Sequence, residues 1–359
     1  MKYLYSLLAI MTVLCACTRN RNDRGGIVIR EASGIARIGN KLFIVGDDAD
    51  GKYFEIELKE QEGPIIPIDP RKVREVNMPH AEVARDLEGI DDLADGRMAI
   101  LSEQLHCLIA RESLESPYYT IIAEYDKSLT EFGHRGLEGL AVKKLVNNKS
   151  RIAVLWEGGY PILHDVPLEL RKRMDHFALK PVVVVHDIQD GGIAEDFFYP
   201  LHHFLLNVPE PDGEEPLAQR YRATALVWHQ LDNGEEGFIV LLSSENAPPQ
   251  NSGVSREYKI KILQRFDLQG DPIGNPLSIN EMGREAFKKI GNEMPEGLSP
   301  QMTQHIKNIT SLLNEGNWEN INWEGLDWFE EGKSLITIYD KKPIDPPFAL
   351  IIELPEEWH

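Results

Sequence analysis

Short apolar runs and turn residues alternate along the chain, and the alternation repeats. Five segments share one pattern: a small or acidic residue, then Gly or Ala, an aliphatic, a turn, and an apolar run that closes on an acid. They open at Ser33-Gly34-Ile35, Glu88-Gly89-Ile90, Glu138-Gly139-Leu140, Thr224-Ala225-Leu226 and Glu324-Gly325-Leu326. The answering runs lead to Asp47 and Asp48, Glu103, Glu157, Glu245 and Asp340. Gly39-Asn40, Asp95-Gly96, Asn147-Asn148, Asn233-Gly234 and Glu331-Gly332 divide the halves, and β-rich runs across such turns predict hairpins. More strands are predicted at 53–58, 119–125, 182–187, 258–267 and 348–354.

A repeating set of short strands predicts an all-β fold, a β-propeller with four-stranded blades around a channel. Five blades follow from the five motifs; a sixth remains open if a degenerate blade lies within 250–300. Two intervals between motifs are wide. The first holds a predicted short helix at 167–176 and a Pro-rich loop at 209–216. The second holds two predicted helices, at 280–290 and 299–313, with Ile306, Leu312 and Leu313 on an apolar face. These are read as insertions, the helical one (about 280–313) preceding the last blade. Residues 26–30 are expected to supply the outer strand of the last blade and close the ring. A β-sandwich with insertions and two separate β domains are the competing architectures.

Residues 1–16, MKYLYSLLAIMTVLCA, place one Lys before an apolar run too short for a permanent membrane span, the shape of a secretory signal. Leu14-Cys15-Ala16-Cys17 matches the bacterial lipobox, which makes Cys17 the acylated residue; a plain cleaved signal is the alternative. The expected organisation is a signal peptide at 1–16, a lipidated Cys and tether at 17–25, and one propeller domain at 26–359. This places the protein in a bacterial cell envelope, exported and held to a membrane through Cys17. Of the three Cys, only Cys107 stays in the domain, which excludes an internal disulfide; its apolar surroundings predict a buried, inert thiol.

Asp and Glu number 58 against 38 Lys and Arg, a net charge of −20. Such a surface repels phosphate backbones and argues against nucleic-acid partners, while cations are attracted. In a blade, the start of the first strand lies beside the end of the second. Glu88, Glu138 and Glu324 are therefore expected at one channel mouth with Asp48, Glu103, Glu157, Glu245 and Asp340; Ser33 and Thr224 stand where the glutamate is missing. Clustered carboxylates need compensation. A Ca²⁺ ion accepting six to eight oxygens is one solution. Arginines are another: Arg30, Arg85 and Arg135 stand three residues before Ser33, Glu88 and Glu138, and Arg222 two before Thr224. Backbone N–H groups at the blade seams are a third, which would make each Glu architectural. The arginines read as clamps between blades or as a grip on a small anion.

The simplest signatures of serine hydrolases, zinc proteases and P-loop enzymes are missing. His134 beside Arg135 is a candidate general acid or base, with a merely solvated loop histidine as the plain alternative. His202-His203 lies in an aromatic stretch that reads as an outer strand or lid. Trp156, Trp228, Trp318, Trp323 and Trp328 read as core or seam residues.

Asp86-Leu87-Glu88-Gly89-Ile90, Gly136-Leu137-Glu138-Gly139-Leu140 and Asn322-Trp323-Glu324-Gly325-Leu326, each followed by a strand ending in an acid, resemble the repeated Glu-Gly-Leu/Ile blades of the phytase-like esterase propellers. The SdiA-regulated, often membrane-anchored bacterial propellers are similar. The resemblance runs from about Ser33 to Asp340 and implies a calcium-associated propeller that hydrolyses phosphoesters or esters. The first and fourth units depart from it in lacking the Glu, and no nucleophile is evident; a metal-activated water needs none. Two functions follow. One is an exported, metal-assisted hydrolase. The other is a non-catalytic platform that recognises an envelope protein or small ligand through the helical insertion and the 209–216 loop.

Overall fold

A computed structural model of the chain describes residues 26–27, 29, 31–58, 63–81, 84–125, 136–157, 181–190, 192–193, 202–208, 222–231, 233–246, 258–294, 298, 300–314, 322–340 and 348–359. The first blade comprises β1 (Ala32–Ile38), β2 (Lys41–Gly46) and β3 (Lys52–Glu57); the chain then leaves it for β4 (Ile65–Pro67) and returns as the outer strand β5 (Arg74–Asn77). Blade two is a plain meander, β6 (Leu87–Asp92), β7 (Met98–Ser102), β8 (Cys107–Arg111) and β9 (Tyr119–Glu124). Blade three has β10 (Leu137–Lys144), β11 (Ser150–Trp156) and β12 (Val182–Gln189), whose outer edge is shared by β13 (Gly192–Ile193) and β14 (His202–Leu205). Blade four is β15 (Arg222–Gln230), β16 (Glu236–Asn246), β17 (Tyr258–Asp267) and β18 (Pro272–Ser278). Two helices follow, α1 (Ile279–Asn292) and α2 (Pro300–Asn314), then β19 (Asn322–Glu330), β20 (Ser334–Asp340) and β21 (Phe348–Glu353) of blade five. All pairings are antiparallel, and the first strands β1, β6, β10, β15 and β19 neighbour one another in that order around the channel, with β19 meeting β1.

Burial on both faces explains why the second strands read as continuous apolar runs rather than alternating ones. Along β2, Leu42 and Ile44 enter the core shared with Ile336, Ile338 and Ile351 of blade five. Phe43 and Val45 enter the core shared with Ile90, Ile100 and Ile109 of blade two. Each of the five apolar clusters fills one seam between blades. At the hairpin of blade three, Asn147 and Asn148 both sit at positive φ (59° and 57°), the pair that a two-residue turn needs to match strand twist.

The predicted blade number holds. Strands β17 and β18 complete blade four within the interval that left a sixth blade open, so the ring is five-bladed. Its closure differs from expectation. The outer strand of blade five is β4, paired to β21 through Phe348↔Pro67, Ala349↔Ile66 and Leu350↔Ile65, and not residues 26–30. Ile65, Ile66 and Ile68 are all buried; Ile29 is buried too and Ile27 packs on the same cluster, its N–H donating to the Pro70 carbonyl at 2.8 Å. A proline at the end of an edge strand sacrifices no ladder bond that the sheet needs. The excursion out of blade one thus ties the first and last blades together.

The helical insertion forms where expected, with the Ser278 hydroxyl accepting from the Glu281 N–H at the start of α1. Its buried face belongs to the core shared with blade five. Ile279, Phe287, Ile290, Met302, Ile306 and Ile309 pack with Trp323, Phe348 and Leu350 of blade five. Phe287 meets Phe348 edge-on with centroids 5.5 Å apart. The predicted helix at 167–176 and the loop at 209–216 lie outside the described residues, as do residues 1–25. Cys107 is free and buried, as expected.

Truncating Phe287→Ala is expected to cost about 3–5 kcal/mol in denaturant unfolding, as for other fully buried aromatics. A loss below about 1 kcal/mol would mean the helices are not core.

Candidate carboxyl site at the channel mouth

The repeated motif is a β-bulge. In blade one, Ala32 pairs with Gly46 and Gly34 with Val45, leaving Ser33 without an opposite number. Glu88, Glu138 and Thr224 are extruded in the same way from β6, β10 and β15. In blade five the irregularity falls one residue later, between Glu324 and Asp327, and Gly325 takes φ 61°. The small residue that follows has its own cause, because first strands crowd together at the channel. A Cβ on Gly89 would stand 2.6 Å from the Leu140 Cβ of blade three, and one on Gly34 2.8 Å from the Glu88 carbonyl oxygen of blade two. A bulge re-aims a side chain, and here it turns the repeated residue toward the mouth.

The acids that end the second strands are fixed to the same rim by backbone bonds. Asp47 N–H donates to the Glu31 carbonyl (3.0 Å), Glu103 N–H to Asp86 (2.8 Å) and Glu157 N–H to Gly136 (3.0 Å). Glu31 and Asp86 each hold φ 47°. Their charges bear on Asp47, and that of Asp86 on Glu103 as well. Sequence reasoning missed both, although each precedes its blade's bulge residue by two positions. Gly136, at that place in blade three, leaves the space taken by the Glu103 side chain.

Together these devices bring Asp47, Glu88, Glu103, Glu138, Glu157 and Glu324 around one space. Glu88 is 7% exposed, and no hydrogen bond among the described residues reaches its carboxyl. Burial first, then the charges of Glu138, Asp47, Glu103 and Glu324, push its carboxyl well above the usual range. Glu138 is raised likewise by burial and by Glu157, Glu103 and Glu324, with Arg222 offsetting part. Burial and Glu157, Asp86 and Asp47 raise Glu103 to about 7. Asp47 is raised to about 6 by burial, against the lowering effect of the Ser33 hydroxyl that donates to it.

Blade four supplies the cations. Arg222 reaches across the seam to Glu157 (2.5 Å), so it acts as a clamp between blades. Lys261, on the third strand and with a fully buried side chain, places Nζ 3.1 Å from Glu324 Oε1, an oxygen that also accepts from Asn322 Nδ2 at 2.6 Å. Lys261 lies outside the repeat, so periodicity could not single it out. Its only signal was the charge alternating with Ile260 and Ile262 along β17.

Several expected residues fall elsewhere. Register places Ser243, not Glu245, opposite Arg222 at the rim position of blade four, because β16 continues past the mouth to pair Glu245 with Lys259. Asp48 is an exposed turn residue; its neighbour Asp47 holds the rim position. Arg85 pairs with Asp50 at 3.4 Å, both exposed. Asp340 stands opposite Asn322, the rim register, with its side chain outside the described residues. Arg30, Arg135, His134, Trp318 and Cys17 also lie outside them. Strand β14 carries His202-His203 as part of the outer edge. Trp228 and Trp328 are seam residues: Trp228 Nε1 donates to the Ala141 carbonyl (3.2 Å) and Trp328 Nε1 to that of Trp228 (2.9 Å).

The resemblance implies a calcium ion at this mouth. Among the described residues no three of His, Cys, Asp and Glu are grouped so as to hold a metal ion. Glu157 and Glu324 are moreover taken by Arg222 and Lys261. The described donors therefore do not fit that ion.

No family model and no curated protein matches the chain. Among solved structures, an endo-arabinase from Bacteroides thetaiotaomicron is 10% identical with a TM-score of 0.42, over 93% of this chain and 98% of that one. A glycosyl hydrolase from Bacteroides ovatus is 12% identical at 0.41, over 91% and 85%. The calcium-binding protein regucalcin from Agrobacterium tumefaciens is 9% identical at 0.36, over 92% and 94%.

Proposed function

We propose that the chain is an exported, lipid-anchored propeller whose channel mouth is an acid–base hydrolytic site for an ester of an uncharged or cationic molecule. The observation that carries this reading is the contrast between bulges. Ser33 and Thr224 occupy the same extruded position as Glu88 and Glu138, so the bulge itself does not require an acid. Two crowded carboxyls, one buried and one half-buried, which no hydrogen bond or ion pair among the described residues reaches, are costly to retain for architecture alone. The repeat's likeness to phytase-like esterase propellers supports ester chemistry. A phosphoester is disfavoured, since its negative charge meets unneutralised acids where the described residues do not fit a metal. Export rests on residues 1–16 and the lipobox ending at Cys17; among the described residues, no helix is long and apolar enough to cross a membrane.

Environments that push neighbouring carboxyl groups apart in proton affinity assign an acid and a base. Glu138, whose proton affinity is raised by burial and by the Glu157 charge, is the acid. Glu157, paired with Arg222, is the carboxylate that accepts a proton. A water bonds its oxygen to the acyl carbon as Glu157 takes the water's proton. The acyl C–O bond then breaks as Glu138 gives its proton to the leaving oxygen, yielding acid and alcohol. Proton return from Glu157 to Glu138 resets the pair.

Glu138→Gln and Glu157→Gln are each expected to lower kcat/KM on an uncharged chromogenic ester by about 10²-fold or more, the usual worth of a positioned acid or base. A chelator is expected to change nothing. A folded chain that turns over no ester would overturn hydrolysis and leave the binding platform. Turnover that requires calcium would restore the metal-assisted reading.

The crowding also makes stability depend on pH. Asp47 and Glu103 are raised in the folded state, so folding takes up protons between their ordinary pKa of about 4 and their folded values of about 6 and about 7. Their contribution is present below about pH 4 and is lost as pH rises through about 6–7. The melting midpoint is therefore expected to fall between about pH 5 and pH 8, and Glu103→Gln to flatten that fall by raising the midpoint at the alkaline end. An unchanged slope in Glu103→Gln would show that Glu103 is not crowded.

A further inference from the structure

Charge is divided unequally around the mouth. Arg222 and Lys261 of blade four satisfy Glu157 and Glu324 at its two flanks. Blades one to three bring Asp47, Glu88, Glu103 and Glu138, and no ion pair among the described residues reaches any of these four. Glu88 is buried with no hydrogen-bond partner among the described residues, and its carboxyl senses acids from three other blades as well as Glu103 of its own. Apart from the carboxyls, the rim position of blade four holds Ser243, whose fully buried hydroxyl also has no partner. Unsatisfied buried polar groups on both sides of one opening call for a ligand that donates hydrogen bonds and carries positive charge.

A bare metal ion needs several oxygens at one point, and the described donors are not so grouped. A primary ammonium is a better match, with three N–H donors that point in different directions and no fixed coordination shell. We infer that the mouth between blades one and three is a subsite for a primary ammonium group, with Glu88 as its central acceptor and Asp47 and Glu103 flanking it. This rests on the reading of the mouth as the functional site, and it defines the substrate class as an ester that carries an amine. Lys261 and Arg222 would then orient such a ligand by repelling its charge toward blades one to three. The groups facing Glu88 are Asp47 and Glu103 from the second strands, Glu138 and Glu324 from the first strands, with Arg222 acting on Glu138.

The test is calorimetry on the full mature chain near pH 7 with ethanolamine, its uncharged counterpart ethylene glycol, choline (a cation without N–H donors) and calcium chloride. Ethanolamine is expected to bind at least about tenfold more tightly than the other two organic probes, a difference of about 1.4 kcal/mol. Because carboxyls protonated in the free protein must ionise to meet the cation, proton release should make the heat vary with the buffer's ionisation enthalpy. Glu88→Gln is expected to lower ethanolamine affinity about tenfold or more while leaving the far-ultraviolet spectrum intact. Equal binding of ethanolamine and ethylene glycol, no binding of any probe, or calcium binding that excludes ethanolamine would each overturn the inference. Ester turnover without preference for amine-bearing substrates would overturn this inference and leave hydrolysis standing. Ethanolamine binding without turnover would do the reverse.

Discussion

The convergence of five first strands on a narrow channel is the constraint from which the rest of the molecule follows. Sheets that twist and pack face to face leave little room at the axis, and the strands there approach until a Cβ would intrude on its neighbour. Gly34, Gly89 and Gly139 are the response, each sited where the next blade's first strand passes. The extra residue of each bulge bends the strand at the same level and turns one side chain toward the opening. The position of the acids is thus a by-product of closing the ring, and their identity is not. That separation between place and residue type is what allows a site to be recognised.

Much of the fold was legible because the forces that build it are local and repeated. Two-faced burial writes itself as runs such as Phe-Ile-Val-Leu-Leu at 238–242, and tight hairpins as Asn-Gly or Asp-Gly. The closing strand was not legible, because Ile65–Pro67 interrupts blade one and joins a partner far along the chain. Both it and residues 26–30 contain buried isoleucine, and only the ladder to β21 separates them. The helices were placed correctly, but the partners of their apolar face were not legible. Their apolar face predicted burial without saying against what, and Phe348 and Trp323 provide the answer.

At the mouth, periodicity located the glutamates and could not locate what compensates them. Arg222 was found because it sits beside the repeat, and Lys261 was not because it belongs to a third strand. Register errors had a single source. Counting apolar residues to the next acid reaches Glu245, whereas the ladder with Arg222 fixes the rim at Ser243. The same counting could not choose between Asp47 and Asp48, a choice settled by the backbone bond from Asp47 to Glu31.

Deeper in the channel a second pair of acids shows what an architectural carboxylate looks like in this protein. Asp91 of blade two accepts the Val142 N–H of blade three at 2.8 Å, and Asp327 of blade five accepts the Arg37 N–H of blade one. Each lies three residues after its blade's motif glutamate, and each satisfies the first strand of the next blade around the ring. At the two seams that follow blades three and four, Trp228 and Trp328 take over the bonding with their indole N–H groups. Each of these two structural acids has a backbone partner, and at two other seams an indole N–H bonds a backbone carbonyl of the neighbouring blade. Among the described residues Glu88 and Glu138 have no such partner, and the equivalent positions in blades one and four hold only a hydroxyl. Burial raises the proton affinity of all four acids, but among the described residues only Asp91 and Asp327 have backbone donors that offset it, and a partner from outside the chain would do the same for Glu88 and Glu138.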